Sequence, residues 1–184
     1  MNDHTTPSPV TASQIQALTG LGRKLQEGAG DLWTDVDNAM QVLFGHKLFT
    51  ALVFDRSRGR LARIYSNNQE VSTVGGAKAV TDSPWSRRVL MEGQIYVGST
   101  RDDIRTAFSE YEQLWGIGCE SVLNIPVQHE GETVATLNLL DAAGRYDAAD
   151  RDLAWTVAQM LVAPVLAARA AFPFDSIEGE LEHV

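Results

Sequence analysis

The sequence is poor in cysteine and histidine, and this limits the chemistry it can carry. Its 184 residues include one cysteine, Cys119, so no disulfide can form within one chain. The four histidines are spread from His4 to His183 without a compact metal-ligand spacing, and we predict neither a metal site nor a cofactor. The spacing also contains no phosphate-binding glycine loop, Ser/His/Asp grouping or paired catalytic carboxylates, so catalysis has little support.

Long apolar runs and excess positive charge are also missing. No stretch approaches the roughly 20 apolar residues of a membrane span. The chain has 15 Lys and Arg against 24 Asp and Glu, and the net charge of −9 disfavours nucleic acid as a partner, because phosphate contacts need a basic surface. Residues 1–9 lack the cationic start and apolar stretch of a secretory signal. We therefore expect a cytoplasmic protein that binds neither nucleic acid nor membrane.

The length and the 44% hydrophobic content fit one folded domain with appendages. We predict a flexible leader over 1–12, an N-terminal amphipathic helix over 13–30, a folded domain over 31–171 and a solvated acidic tail over 172–184. Thr11 with Gln14 forms a capping-box pattern for the first helix, and Asp31 can cap a second one.

Apolar periodicity and turn residues predict the elements of the folded domain. In chain order they are a strand hairpin (48–54 and 60–65), a short helix (82–93), a strand (94–98), a helix (100–116), a second hairpin (121–127 and 132–141) and a long last helix from 147 onward. Pro164 should bend that last helix. The order predicts an α/β (α+β) fold, with helices on both sides of an antiparallel sheet.

Two asparagines interrupt the apolar runs of the second hairpin. Asn124 and Asn138 are expected to be buried, where an amide needs a hydrogen-bond partner. The two amides can bond to each other as a structural pair, or they can receive a polar group of a ligand, since an amide offers both donors and an acceptor.

The segment from Asp82 to Arg88 contains a second candidate feature. A helix that opens at Asp82-Ser-Pro-Trp85 would present free N–H groups to an anion, and Arg87 could bind a carboxylate or phosphate bidentately. The alternative is that Arg87 and Arg88 are solvated surface residues. Asp141, at the end of its strand, can close a pocket or simply belong to a turn.

The pattern resembles the GAF domain, a sensory α/β module, over roughly residues 31–170. The resemblance rests on the helix that leads into Leu48–Phe54, on Gly116–Val127, and on Thr136–Leu140 with the following Tyr146–Asp150. It implies a sheet with terminal helices on one face and short helices and loops over a ligand pocket on the other. It also implies dimerisation through the terminal helices.

Strand alternation then assigns side chains to the two faces. If Val122 and Asn124 face the pocket, Leu123 and Ile125 face the terminal helices, and Thr136, Asn138 and Leu140 join the pocket side. The predicted ligand-binding residues are Asn124, Asn138, Trp85, Ser86, Tyr65, Tyr96, Arg87, Val122, Thr136, Leu140 and Asp141. The ligand is an unidentified small organic molecule, anionic if the arginine and helix terminus take part, and a cyclic nucleotide, an amino acid or another metabolite stays open.

Three functions follow from the resemblance. The first is a non-catalytic sensory domain that acts through a homodimer or a protein effector. The second is a divergent thiol-dependent reductase of an oxidised metabolite, with Cys119 as nucleophile, because free methionine-R-sulfoxide reductases are GAF proteins. This chain lacks their additional cysteines and their strand carboxylates, and Cys119-Glu120 lacks the context of a bilin attachment site. The third is a structural dimerisation module whose interior is filled by its own side chains.

Overall fold

A seven-stranded sheet forms the centre of the computed structural model, which describes residues 9–28, 30–176 and 182–183. The strands are β1 (Leu48–Asp55), β2 (Arg60–Ser66), β3 (Ala77–Ala79), β4 (Tyr96–Gly98), β5 (Ser121–His129), β6 (Glu132–Asp141) and β7 (Glu182–His183). Their order in the sheet is β4-β5-β6-β1-β2-β3-β7. All neighbours are antiparallel except β3 and β7, which are parallel.

The helices form two layers, one on each face of the sheet. They are α1 (Ala12–Glu27), α2 (Leu32–Leu43), α3 (Pro84–Ser86), α4 (Arg101–Ala107), α5 (Tyr111–Gly116), α6 (Arg151–Met160) and α7 (Val162–Ala171). The terminal helices, α1, α2, α6 and α7, bury residues such as Met40 and Val157 against Phe49 and Leu123 of the sheet. The opposite face is covered by α3 to α5 and a π-helical turn at Arg87–Met91. The predicted α/β fold is confirmed.

Strand alternation sorts the side chains of the second hairpin as predicted. Leu123 and Ile125 belong to the core beneath the terminal helices, whereas Val122 and Leu140 belong to the core on the other face. Both asparagines lie on that second face, where Asn124 contacts Trp85 of α3.

The structure divides two predicted helices. The helix expected over 100–116 stops at Ala107, because Phe108 adopts an extended backbone with φ −132° and ψ 130°, and a new helix begins at Tyr111. The long last helix breaks at Leu161 into α6 and α7, which meet at 55°. Pro164 has no N–H to bond the carbonyl four residues earlier, which explains the break.

The first hairpin contains an irregularity that sequence alternation does not reveal. Leu52 pairs with Arg63 and Ala51 pairs with Tyr65, so Ile64 is an extra residue in β2. One extra residue reverses the alternation. Arg63 therefore faces the layer of α3 to α5, and Tyr65 faces the terminal helices.

The ends of the chain agree in part with the predicted boundaries. The capping box of Thr11 with Gln14 opens α1, and Asp31 caps α2. Most of the predicted leader, residues 1–8, and residues 177–181 and 184 of the predicted tail lie outside the described residues. The start of the tail is not simply solvated, because Phe174 is buried and Arg58 binds Asp175 through two nitrogens at 3.0 and 2.7 Å. The two-residue strand β7 and strand β3 were not predicted.

No single helix in the described part of the chain is long and apolar enough to cross a membrane. Only α6 and α7 together reach the required length and hydropathy, across their bend. Both helices also contribute buried residues to the core beneath the sheet, among them Leu153 and Val165.

Candidate functional site

A small chamber lies between the sheet and the layer formed by α3, α4 and α5. Its walls are aliphatic side chains from β1, β2 and β6, closed by Trp85 and by Phe108, whose ring centroids are 6.3 Å apart. The cavity volume is about 40 Å³, enough for one or two water molecules. In this arrangement the chamber has little free volume.

A chain of buried hydrogen bonds forms the floor of the chamber. Trp85 Nε1 donates to Asn124 Oδ1 at 2.9 Å, and Asn124 Nδ2 donates to Asn138 Oδ1 at 2.6 Å. Asn138 Nδ2 then reaches the hydroxyl oxygens of Thr50 and Thr136 at 3.2 and 3.3 Å. Each amide thus has a donor and an acceptor satisfied by its neighbours, as in the structural pair considered from the sequence.

The sheet register brings these groups together. Asn124 and Asn138 are directly opposite in the β5–β6 pair, and Asn138 is opposite Thr50 in the β6–β1 pair. Three adjacent strands therefore carry one polar row across an apolar sheet face. That the amides bind a ligand stays a prediction.

Three charged residues with little solvent exposure line one side of the chamber, and we call Arg63, Lys78 and Glu110 the charged neck. Lys78 Nζ donates a hydrogen bond to Glu110 Oε1, and Arg63 Nη2 lies 3.8 Å from the same oxygen. Their side chains are only 9 to 15% exposed. Arg63 Nη1 also donates to the carbonyl of Thr73 at 3.0 Å.

The electrostatics of the neck keep Glu110 ionised. Burial by itself would raise the pKa of the Glu110 carboxyl, but the hydrogen bond and charge of Lys78, together with the charge of Arg63, outweigh burial and lower this pKa below its ordinary value of 4.5. At neutral pH Glu110 is therefore negatively charged within the neck.

A larger polar cleft lies on the outer side of the neck. Its volume is about 390 Å³, and it is bordered by Glu70, Thr73 and Gln113. Arg63, Lys78 and Glu110 line both this cleft and the inner chamber. The neck is thus the polar boundary between a wide outer cleft and a narrow apolar interior.

Sequence reasoning missed the charged neck for a physical reason at each position. Arg63 follows Leu61 at a spacing of two, which is a usable signal that both share a strand face. Lys78 lies in a strand too short to show alternation. Glu110 reaches the chamber only because the chain leaves the helical conformation at Phe108.

Six of the predicted ligand-binding residues lie in or beside the chamber. Four line it directly: Trp85, Thr136, Asn138 and Leu140. Asn124 lies beneath Trp85, and Val122 is buried beside Leu140.

The other five predicted residues do not line the chamber, each for a separate reason. Tyr65 is turned to the opposite face by the extra residue in β2, and its hydroxyl donates to Asp37 at 2.7 Å. Tyr96 lies under Arg88 and packs against the apolar clusters of this layer. Asp141 accepts from the N–H of Ala142 at 2.7 Å, which is the turn role considered from the sequence.

The start of α3 differs from the expected anion site in its cap and in the position of Arg87. Ser83 rather than Asp82 caps the helix, and its hydroxyl accepts the N–H of Ser86 at 3.0 Å. The hydroxyl of Ser86 donates to the carbonyl of Thr81, so Ser86 acts in capping. Arg87 is exposed and paired with Asp82, as the surface alternative predicted.

Cys119 is poorly placed to act as a nucleophile. The side chain is completely buried, and burial raises the pKa of its thiol to about 11, with Asp141 contributing and Lys47 opposing. The reactive species of a catalytic cysteine is the thiolate, which such a pKa disfavours at neutral pH. No cluster of three or more metal-ligating side chains occurs among the residues that the structure describes.

Solved structures with the same architecture include GAF domains, a chromophore-binding domain and an enzyme. The GAF domain of an Acinetobacter phosphoenolpyruvate-protein phosphotransferase matches at TM-score 0.63 and 15% identity, over 88% of this chain and 98% of that one. The chain has a GAF-type fold. The chromophore-binding domain of a bacteriophytochrome from R. palustris matches at TM-score 0.60 and 15% identity, over 85% of this chain and 62% of that one.

The GAF fold of this chain is also that of an enzyme. Free methionine-R-sulfoxide reductase from Neisseria meningitidis, in complex with its substrate, matches at TM-score 0.58 and 13% identity, over 89% of this chain and 96% of that one. No protein-family model matches the chain, and no curated protein matches it in sequence. At such low identities the likeness establishes the fold alone.

Replacement of Asn124 by alanine tests the hydrogen-bonded floor. The variant leaves Trp85 Nε1 and Asn138 Oδ1 without their partners, and each deprived buried group costs about 1–3 kcal/mol. We expect urea unfolding to report a loss of about 2–4 kcal/mol. Asn38→Ala, at an exposed position of α2, is the matched control and should be nearly neutral. A loss below about 1 kcal/mol for Asn124→Ala would contradict this account.

Glu110→Gln tests the ionised state of the neck through pH. The pKa of Glu110 is lowered in the folded state. The ionised carboxylate therefore stabilises the fold fully above pH 4.5, and this stabilisation is lost as the pH falls through the folded-state pKa. We expect the variant to lose about 2–3 kcal/mol at neutral pH, and the difference from the unsubstituted protein to shrink below pH 4.5. Urea unfolding at a series of pH values measures this difference in unfolding free energy. Glu112→Gln, at an exposed position of α5, is the control. A difference that does not change with pH would show that Glu110 acts through packing alone.

Proposed function

We propose that this GAF-type chain is a sensory domain that binds a small organic molecule without transforming it. The observation that supports this most directly is the charged neck at the mouth of an apolar chamber. Desolvation of charged groups costs folding free energy even where they are paired, and a structural core does not need them. Ligand sites commonly combine apolar walls with a few fixed polar groups.

The described arrangement corresponds, in this proposal, to a closed form. A cavity of about 40 Å³ is far below the roughly 300 Å³ of usual ligand pockets. Binding therefore requires the layer of α3 to α5 to move away from the sheet. The connection at 108–110 is the natural place for this movement to begin, because it carries both Phe108 and Glu110 and joins two short helices.

We propose that the ligand signal passes, in the cytoplasm, through a homodimer formed by the terminal helices of two chains or through a protein effector. Large apolar side chains are exposed on these helices: Ile15 is 54% exposed, Val42 52% and Trp155 52%. A ligand would act by binding one arrangement of the loops and helices better than another, which shifts their populations.

Native mass spectrometry of the purified protein tests ligand binding. We expect a co-purified small molecule, or a rise in Tm with members of a metabolite library, because a ligand that binds only the folded state stabilises it. Ser72→Phe places a ring at the buried, chamber-lining Ser72 and should abolish binding. Ser57→Phe, on the exposed hairpin turn, should leave it intact. If no molecule binds and Ser72→Phe raises the Tm, the chamber is a structural void and the domain is a dimerisation module.

Light scattering on the purified protein tests the dimer. We expect twice the monomer mass, and a shift to monomer for Trp155→Glu, because a charge at a buried interface position is costly. Met91→Glu is the control, since Met91 is 45% exposed on the other layer of the molecule. A protein that stays monomeric at all concentrations, or a dimer equally sensitive to both substitutions, would contradict a terminal-helix interface.

A further inference from the structure

Strand β2 presents polar side chains to both faces of the sheet, on either side of a single residue. Arg63 lines the chamber, and Tyr65 packs beneath the terminal helices. In a regular strand, residues two apart share a face, so this division depends on the extra residue, Ile64. The register of β1 and β2 skips Ile64, and the ladder is therefore interrupted between the two polar side chains.

The helix-facing side chain of β2 is bonded to α2. The Tyr65 hydroxyl donates to Asp37 Oδ2 at 2.7 Å, and Asp37 lies on α2. The other oxygen, Asp37 Oδ1, lies 2.6 Å from Nε2 of His46, in the connection between α2 and β1. The ring centroid of Phe49 is 5.5 Å from that of His46 and 5.8 Å from that of Tyr65. Asp37, His46 and Tyr65, which we call the polar link, thus join β2 to α2.

The polar link is a costly way to pack this face of the sheet. His46 is 8% exposed, and its Nδ1 is buried without a hydrogen-bond partner among the residues that the structure describes. Such an atom loses its hydration without compensation, and apolar side chains would avoid that cost. Burial and the hydrogen bond to Asp37 raise the pKa of Tyr65 to about 12, so its hydroxyl stays a donor at neutral pH. The arrangement therefore calls for a role besides packing.

The chamber-facing side chain of β2 contacts the layer that covers the chamber. Arg63 Nη2 lies 3.8 Å from Glu110 Oε1, on the connection at 108–110. Arg63 Nη1 also donates to the carbonyl of Thr73 at 3.0 Å. A movement of the 108–110 connection therefore changes a contact of β2, two residues before the side chain that holds α2.

We infer that β2, with its bulge at Ile64, transmits the state of the chamber to α2 through the polar link. This inference rests on the function proposed above and names how the chamber regulates the terminal helices. When the 108–110 connection leaves the sheet, Arg63 loses a contact, β2 shifts where its ladder is interrupted, and the bond from Tyr65 to Asp37 is released. The shift reaches the proposed dimer surface, because α2 also carries Val42, which is 52% exposed.

A double-mutant cycle tests this transmission without any ligand. Glu110→Gln acts at the chamber and Tyr65→Phe acts at the polar link, and each should raise the equilibrium constant of urea unfolding. Substitutions at sites that do not interact have effects that multiply. Because these two changes interrupt one route, the effect of the double variant should fall short of the product of the single effects by at least about fivefold.

Tyr146→Phe provides the matched control cycle. Tyr146 is also buried beneath the terminal helices, and its hydroxyl donates to the carbonyl of Gly45 at 3.0 Å, but it lies outside β2. Its effect should multiply with that of Glu110→Gln to within about twofold. Where Glu110→Gln fails to fold, Glu110→Asp, which shortens the same carboxylate side chain, takes its place in both cycles.

Hydrogen exchange in α2 adds a readout that packing around Tyr65 alone would not change. Glu110→Gln should accelerate exchange of the amides of residues 37–43 when it is the only substitution, and also when it is combined with Tyr146→Phe. In the Tyr65→Phe background it should cause no further acceleration, because the polar link is already broken.

The outcomes separate this inference from the function on which it rests. Effects of Glu110→Gln and Tyr65→Phe that multiply, an equal shortfall in the control cycle, or unchanged exchange in α2 would each overturn the route through β2. A small molecule that binds while both cycles multiply would support the sensory function and overturn this route. A shortfall confined to the Tyr65 cycle, in a protein that binds no molecule, would support the route and count against sensing.

Discussion

The pairing of β5 with β6 is the constraint from which the candidate site follows. Its register sets Asn124 opposite Asn138, and the next pair sets Asn138 opposite Thr50. A slip by one residue would turn both amides to the face of the terminal helices, away from Trp85 and Thr50. The same row fixes Trp85 through its indole N–H, so the sheet register also positions the layer above it.

The two sides of the chamber have different mechanical character. The floor is a continuous set of strand pairs with satisfied polar groups, and such structure opens only at high free energy. The roof consists of short helices: α3 has three residues, α4 seven and α5 six. Helices of this length have no independent stability and depend on their contacts with the sheet. A site between these layers has a rigid side and an adjustable side.

Buried polar and charged side chains occur on both faces of the sheet. Beneath the terminal helices, Asp37 lies 2.6 Å from His46, with side chains 16% and 2% exposed. In the other layer, Arg63, Lys78 and Glu110 line the chamber. Desolvation of these charges opposes folding, and their mutual attraction offsets that cost. The buried Cys119 fits a packing role.

The sequence by itself determined the fold class, the capping of α1 and α2, and the face assignment of the second hairpin, because helical and strand periodicities are local and the hairpin is regular. It also restricted the asparagine pair to two roles. Only the tertiary structure decided that the amides bond to each other, that an extra residue turns Tyr65 away, and that the chain breaks at Phe108 to bring Glu110 onto Lys78 and Arg63. These outcomes depend on contacts between residues far apart in sequence, and local patterns carry no information about such contacts.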